Sequence, residues 1–196
     1  MSPAISRTSP AANVAAARAV LEEGGLDAVS MAAVAARVGV RAPSLYKHHE
    51  DRDALIAAVA TSVVDELGAC LEAAVLAAGQ EVGGAERLRA AAEAYRDFAR
   101  RSPRATALLF AGTTPRSAPS VASVAAAAAP VLRVAQELAG PEQALPAARV
   151  LTAFVHGFTT MEAAGAFRLE GDVDAAFELG IETLVSGLRT RAAGAG

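Results

Sequence analysis

Six side chains that can bond a phosphate or a base edge fall within nine residues: Arg41, Ser44, Tyr46, Lys47, His48 and His49. Lys47 is the only lysine of the 196-residue chain, and His48 and His49 are two of its three histidines. Guanidinium, ammonium and hydroxyl groups this close together suit the recognition of a polyanion, because all of them donate to phosphate oxygens and base edges. They do not suit covalent chemistry. No Gly-x-Ser-x-Gly and no His-Glu-x-x-His occurs, so an enzyme is not expected. The single Cys70 excludes an internal disulfide framework and a Cys-rich metal site, and it reads as a buried core thiol. Neither a metal nor a cofactor is expected.

The elements that must position these groups are helical. Alanine dominates a 53% hydrophobic composition, aromatics are 4%, and no run alternates with period two. Val14, Ala17, Val20 and Leu21 share a helical face that Gly24-Gly25 ends. Ser30 is a suitable N-cap for a helix over Met31–Val38, and Gly39 supplies the turn after it. Ala42-Pro43 opens the next helix, with proline in the first turn where a missing N–H costs little. This is a helix-turn-helix layout, in which the second helix enters the major groove. Ala42, Pro43 and Ser44 are small enough for close approach, and Leu45 must face inward onto Val34 and Val38. Tyr46 packs locally while its hydroxyl reaches a phosphate, and Lys47 and His48 lie toward the flanking backbone.

Charge supports this placement weakly. The net charge is −3, yet residues 1–50 hold five basic and four acidic groups, leaving thirteen and seventeen for the rest. The head is slightly basic and the body acidic.

Beyond the head, Leu55, Val59, Val63, Leu67, Leu71 and Val75 recur every four residues and predict one long helix. Further helices are predicted over Ala85–Arg101, Ser102–Phe110, Ser120–Ala139, Ala147–Phe167 and Asp172–Leu188. Pro130 should kink or break the alanine-rich one, and Gly140-Pro141 and Pro146 mark the boundary before the next. Gly112–Pro119 reads as a polar loop. The whole is an all-α chain of about nine helices. It divides into a flexible tail (1–8), a DNA-binding head (9–50) and a helical regulatory and dimerisation body (51–193). No secretory pattern is found, and no stretch of bilayer-spanning length is free of charge and turn residues, so a cytoplasmic protein without a membrane partner is expected.

The run from Ala32 through Gly39-Val40-Arg41-Ala42-Pro43-Ser44-Leu45-Tyr46-Lys47-His48-His49 to Leu55 resembles the N-terminal signature of TetR-family transcriptional regulators. The resemblance covers roughly residues 8–58. A second run, His156 to Phe167, is similar to the C-terminal region of a TetR subgroup whose helix carries a His-Gly pair. The resemblance implies a dimeric, ligand-responsive regulator, most simply a repressor that leaves its operator on binding a small apolar or amphipathic effector. It implies that Ser30 touches phosphate, that Arg41, Ala42, Pro43 and Ser44 lie nearest base edges, and that Tyr46, Lys47 and His48 hold the sugar-phosphate strand. Arg52 would reach a phosphate across the groove. Two positions depart from the pattern. His49 replaces the usual phenylalanine, predicting a weakened core contact and an exposed polar ring. Arg41 replaces the usual Ser or Thr cap and becomes a candidate reader of guanine.

In the body the resemblance implies an effector pocket among the middle helices, with candidates Leu67, Leu71, Tyr95, Phe98, Leu109, Phe110, Phe154 and His156. Phe158, Met161, Gly165, Phe177, Ile181, Leu184 and Leu188 are the candidate homodimer interface, because the last two helices carry more apolar bulk than their own pairing needs. Glu162 and Arg168 read as solvated. The alternative reading is a helical protein-interaction adaptor without DNA binding.

Overall fold

A computed structural model describes residues 9–110 and 114–193, with side chains through residue 190. The expected tail at 1–8 and Gly112 and Thr113 of the expected loop lie outside the described residues. Among those described there are eight α-helices and no strand: α1 (Pro10–Gly24), α2 (Met31–Val38), α3 (Arg52–Ala77), α4 (Gly84–Arg101), α5 (Pro103–Leu108), α6 (Val121–Ala139), α7 (Pro141–Ala163) and α8 (Val173–Ala193). The ninth expected helix, at 42–47, is instead a 3-10 turn, Ala42–Ser44, followed by hydrogen-bonded turns. Its bonds run from Ser44 N to Arg41 O and from Leu45 N to Ala42 O, a three-residue spacing. The segment spans too few residues before His49 to propagate an α-helix.

Local chemistry explains most boundaries. Ser9 and Ser30 accept from the amides of Ala12 and Ala33, each at 3.1 Å, and so cap α1 and α2. Asp51 accepts from Ala54 N at 2.8 Å to start α3, and Asp172 accepts from Asp174 N and Ala175 N to start α8. Gly39 ends α2 in the left-handed region, at φ 79° and ψ 35°, while Val40 N returns to Ala35 O. Pro130 does not break its helix, and Pro146 does not bound the next one. α6 continues through Pro130, which is buried, and α7 begins at Pro141 with Pro146 inside it rather than at Ala147. Pro141 fits the start of α7, where its missing N–H would be unpaired in any case.

The chain forms two compact units, and α3 and α6 each contribute to both. One unit comprises residues through Asp65 together with Ser102–Val124, a wider set than the 9–50 head read from sequence. Here α1 packs on α2 and on α5. The Glu22 carboxylate accepts from Ala105 N at 2.8 Å, Arg104 donates to the Glu22 carbonyl at 2.9 Å, and Arg18 donates to Ser102 Oγ at 3.3 Å. Its apolar centre includes Ala17, Leu21, Val34, Leu45, Leu55 and Val59.

The other unit comprises Glu66–Arg101 and Ala125 onward, with α4 packed on α7 and α8. Arg87 pairs with Glu137, and Arg133 holds both oxygens of Glu72. By length and composition alone α3 and α6 are apolar enough to cross a membrane, with mean hydropathies of 1.7 and 1.3, although each carries charged residues. In α3 the charges interrupting the apolar run are Asp65, Glu66 and Glu72. Its apolar stripe, from Leu55 through Val75, is buried inside the protein. Cys70 is half-buried, not sealed in the core.

Candidate nucleic-acid interface

In the 41–50 segment two side chains, Leu45 and His49, are buried, and exposed polar groups lie between and around them. Leu45 is fully buried, as is Val34 of α2, so the turn is fixed to the head by its one large apolar side chain. Around it Arg41, Pro43, Tyr46, Lys47 and His48 are exposed, and Ala42 and Ser44 are half-exposed. Tyr46 leaves 53% of its surface in solvent, ample for a hydroxyl that reaches outward while the ring base packs. Among the described residues neither Arg41 nor Lys47 takes part in an ion pair, so both cations remain available to a partner. Ser30 uses its oxygen as an acceptor for Ala33 N, which leaves its hydroxyl proton free to donate.

Two side chains behave differently from the sequence expectation. The His49 ring is buried, not exposed, and its Nε2 has no hydrogen-bond partner. Burial, reinforced by the neighbouring His48 charge, holds its pKa below the ordinary 6.5. Arg52 turns into the protein. Its Nε donates to Val29 O at 2.6 Å and its Nη2 to Leu26 O at 2.7 Å, so the guanidinium ties the first turn of α3 to the connection between α1 and α2. Nothing in the spacing of Arg52 signals this, because its acceptors are backbone carbonyls more than twenty residues earlier.

The family model for bacterial regulatory proteins of the tetR family matches residues 14–59, and that for a tetracyclin repressor-like C-terminal domain matches 88–184. An uncharacterized HTH-type transcriptional regulator of Mycobacterium tuberculosis, Rv0681, is 30% identical over 176 residues, covering 87% of this chain and 77% of that one. The chain belongs to the TetR family.

A second HTH-type transcriptional regulator of this kind, YobS of Bacillus subtilis, is 29% identical over 188 residues and covers 96% of both chains. A solved structure from Rhodococcus sp. RHA1, of a protein with unknown function, is 29% identical, covers 96% of this chain and 100% of that one, and superposes with a TM-score of 0.79. This TetR-family member is therefore a DNA-binding transcriptional regulator with an N-terminal helix-turn-helix and a helical C-terminal domain.

In the regulator's second unit the structure brings together one pair of the expected pocket residues. The buried Tyr95 hydroxyl lies 3.1 Å from His156 Nδ1, and Thr160 Oγ1 lies 3.5 Å from Nε2. Burial pushes the Tyr95 pKa up and the His156 pKa down, so both are neutral near pH 7. Leu67, Leu71 and Phe98 are buried in this unit, and Phe154 stacks on Phe177 at 6.0 Å between ring centroids. Leu109 and Phe110 belong to the unit that holds the head.

The expected interface residues separate into four groups. Phe177 and Ile181, at 2% and 1% exposure, are interior side chains of one chain and cannot also face a partner. Phe158 joins them, half-buried among Phe154, Phe167 and Phe177. Gly165 has φ 63° and terminates α7, so it does not provide close helix approach. Leu184 and Leu188 line an open, mainly apolar groove of about 340 Å³ between α7 and α8, together with Val150, Leu151 and Gly187. None of the expected pocket residues lines that groove. Met161 is about half exposed.

An ion cluster went unread in the sequence. Arg96, with 7% of its side chain exposed, pairs with Glu162 and Asp174 at 2.7 Å each and lies 4.5 Å from the Phe177 ring centroid. Arg100 contacts the same two carboxylates. Glu162 is thus a half-buried partner of two arginines, not the solvated residue expected. Hydrogen bonding to Arg96 holds its pKa below the usual carboxylate value.

Proposed function

We propose that the regulator is a homodimeric, cytoplasmic repressor that presents two copies of the Arg41–His48 segment to operator DNA and releases it on binding a small apolar or amphipathic effector. The observation that carries the reading is the exposed polar stub around the buried Leu45 anchor. A single stub offers few contacts. Two, placed by a two-fold axis about 34–36 Å apart, match successive turns of one groove face. In this reading Arg41 reads a base edge, and Ser30, Tyr46, Lys47 and His48 hold phosphates. Arg52 serves them as a strut.

The open groove carrying Val150, Leu184 and Leu188 favours pairing of α7 and α8 with a second copy, since apolar surface of this kind is normally covered. The Tyr95–His156 pair favours an effector with one hydrogen-bonding group on an apolar body, the usual balance in small-molecule sites. Release requires that the effector bind better to the conformation that misfits DNA. α3 is the natural lever, because it contributes to both compact units.

Fluorescence anisotropy against DNA from the gene's own upstream region tests the proposal. The expected result is tight, salt-sensitive, sequence-selective binding with two chains per site, reversed by an amphipathic effector. Binding by one chain, or binding that discriminates no sequence, would overturn it.

A further inference from the structure

The residues immediately after the recognition stub are a liability on a surface that meets a polyanion. Glu50, Asp51 and Asp53 place three carboxylates within six residues of Lys47. The head has few cations to offset them. Arg37 pairs with Glu23 at 2.7 Å, and Arg52 is committed to two backbone carbonyls. A distant segment supplies the compensation. Arg116, in the 3-10 turn Pro115–Ser117, sets Nη2 2.7 Å from Asp51 Oδ2 and 4.0 Å from Glu50 Oε2. The adjacent Thr114 hydroxyl donates to Asp53 Oδ2 at 3.3 Å.

The turn that presents Arg116 is itself fixed. Buried Ser117 donates to the Thr114 carbonyl through both its amide, at 2.9 Å, and its hydroxyl, at 3.1 Å. Three residues on, Ser120 N donates to Thr61 Oγ1 of α3 at 3.0 Å. All of these groups lie in the compact unit that contains the head.

We propose that Arg116 is a positioning and charge-compensating residue of the DNA-binding surface: it neutralises the Glu50–Asp51 pair so that the field beside Lys47 and Arg41 stays attractive to phosphate. The proposal rests on the DNA-facing reading of residues 41–48. An exposed ion pair contributes little to folding. Its charge nevertheless acts on DNA across a Debye length of about 10 Å at 0.1 M salt. The effect therefore belongs to binding and not to stability.

A double-mutant cycle on a mixed-sequence duplex of about 30 base pairs, long enough for two half-sites, decides the matter without knowledge of the operator. At low salt Arg116→Ala should weaken binding about 2- to 5-fold with an unchanged melting temperature, and Arg116→Lys should bind nearly as well as wild type. If Arg116 compensates these carboxylates, adding Glu50→Gln and Asp51→Asn, where Asn still caps α3, to Arg116→Ala should restore binding at least to the wild-type level. Unchanged binding of Arg116→Ala, or a loss that neutralising the two carboxylates does not restore, overturns the assignment. Failure of the wild-type protein to bind any duplex would instead remove the reading of the stub on which it rests.

Discussion

The Arg52 guanidinium donates to the Val29 carbonyl at 2.6 Å and, through a second nitrogen, to that of Leu26 at 2.7 Å. A cation placed to read a phosphate would leave its donors outward. This one ties α3 to the loop ahead of the recognition elements. Arg52→Ala should therefore destabilise the fold by about 1.5–3 kcal/mol, the range for hydrogen bonds to a charged group. Urea denaturation should show a lower midpoint at constant slope. DNA affinity should fall without any change in its salt slope, whereas loss of a phosphate contact reduces that slope by about one.

Arg41 and Lys47 differ in what they offer, and their substitutions should separate. Arg41 opens the stub and presents a planar fork suited to guanine, so Arg41→Ala should relax preference at one base pair by about 1–3 kcal/mol. Lys47 is a point charge at its far end. Lys47→Ala should weaken all sequences alike and flatten the salt slope. Equal loss on specific and random duplexes for both variants would reject this division.

His49 and His156 predict a pH dependence with a definite sign. Burial lowers both pKa values below 6.5, so the folded state prefers neutral rings. Above about pH 6.5 neither state is protonated there, and both groups contribute their full stability. As pH falls below that value the unfolded chain takes up protons that the folded one lacks, and stability declines until the folded values are passed. Glu162 and Asp174 act in a lower window, below about pH 4.5, because hydrogen bonds to arginine depress their pKa values. His49→Phe should raise stability near pH 7 by about 1 kcal/mol, since it removes the unpaired buried Nε2. It should also flatten the melting-temperature profile between about pH 5 and 6.5. A variant with the wild-type slope would contradict this account of His49.

Gly180 sits beneath the Phe154 ring. A Cβ there would fall 2.0 Å from Cζ and 2.6 Å from Cε2, and the ring is held by Phe158 and Phe177. The gain in helix propensity from Gly180→Ala, about 1 kcal/mol, should be outweighed by overpacking, for a net loss of about 1–2 kcal/mol. Phe154→Leu in the same chain should relieve most of the loss, read as a non-additive double-mutant cycle in thermal melts.

What could be read directly from sequence were features that nearby residues determine. Ser9 and Ser30 cap their helices with amides three residues on, Gly39 takes the conformation its type favours, and the four-residue repeat of α3 becomes its buried stripe. The stub's exposed and buried sides followed from Leu45 being its one large apolar anchor. Features set at long range were not legible. Arg52 finds carbonyls 23 and 26 residues back, Glu162 meets Arg96 across 66 positions, and Phe177 and Ile181 fill their own chain's interior. Pro146 misled because proline reads as a boundary, while a helix already begun at Pro141 carries on through it.

The interlocking of Glu22 with Ala105, and of Asp51 with Arg116, bears on any attempt to excise the DNA-reading half. No single cut yields it. A fragment ending at residue 65 would leave the carboxylate of Glu22 without its amide and uncover the side of α1 that α5 shields. A faithful miniature would have to splice the 102–124 stretch back onto the first 65 residues, as a redesigned chain and not as a proteolytic product.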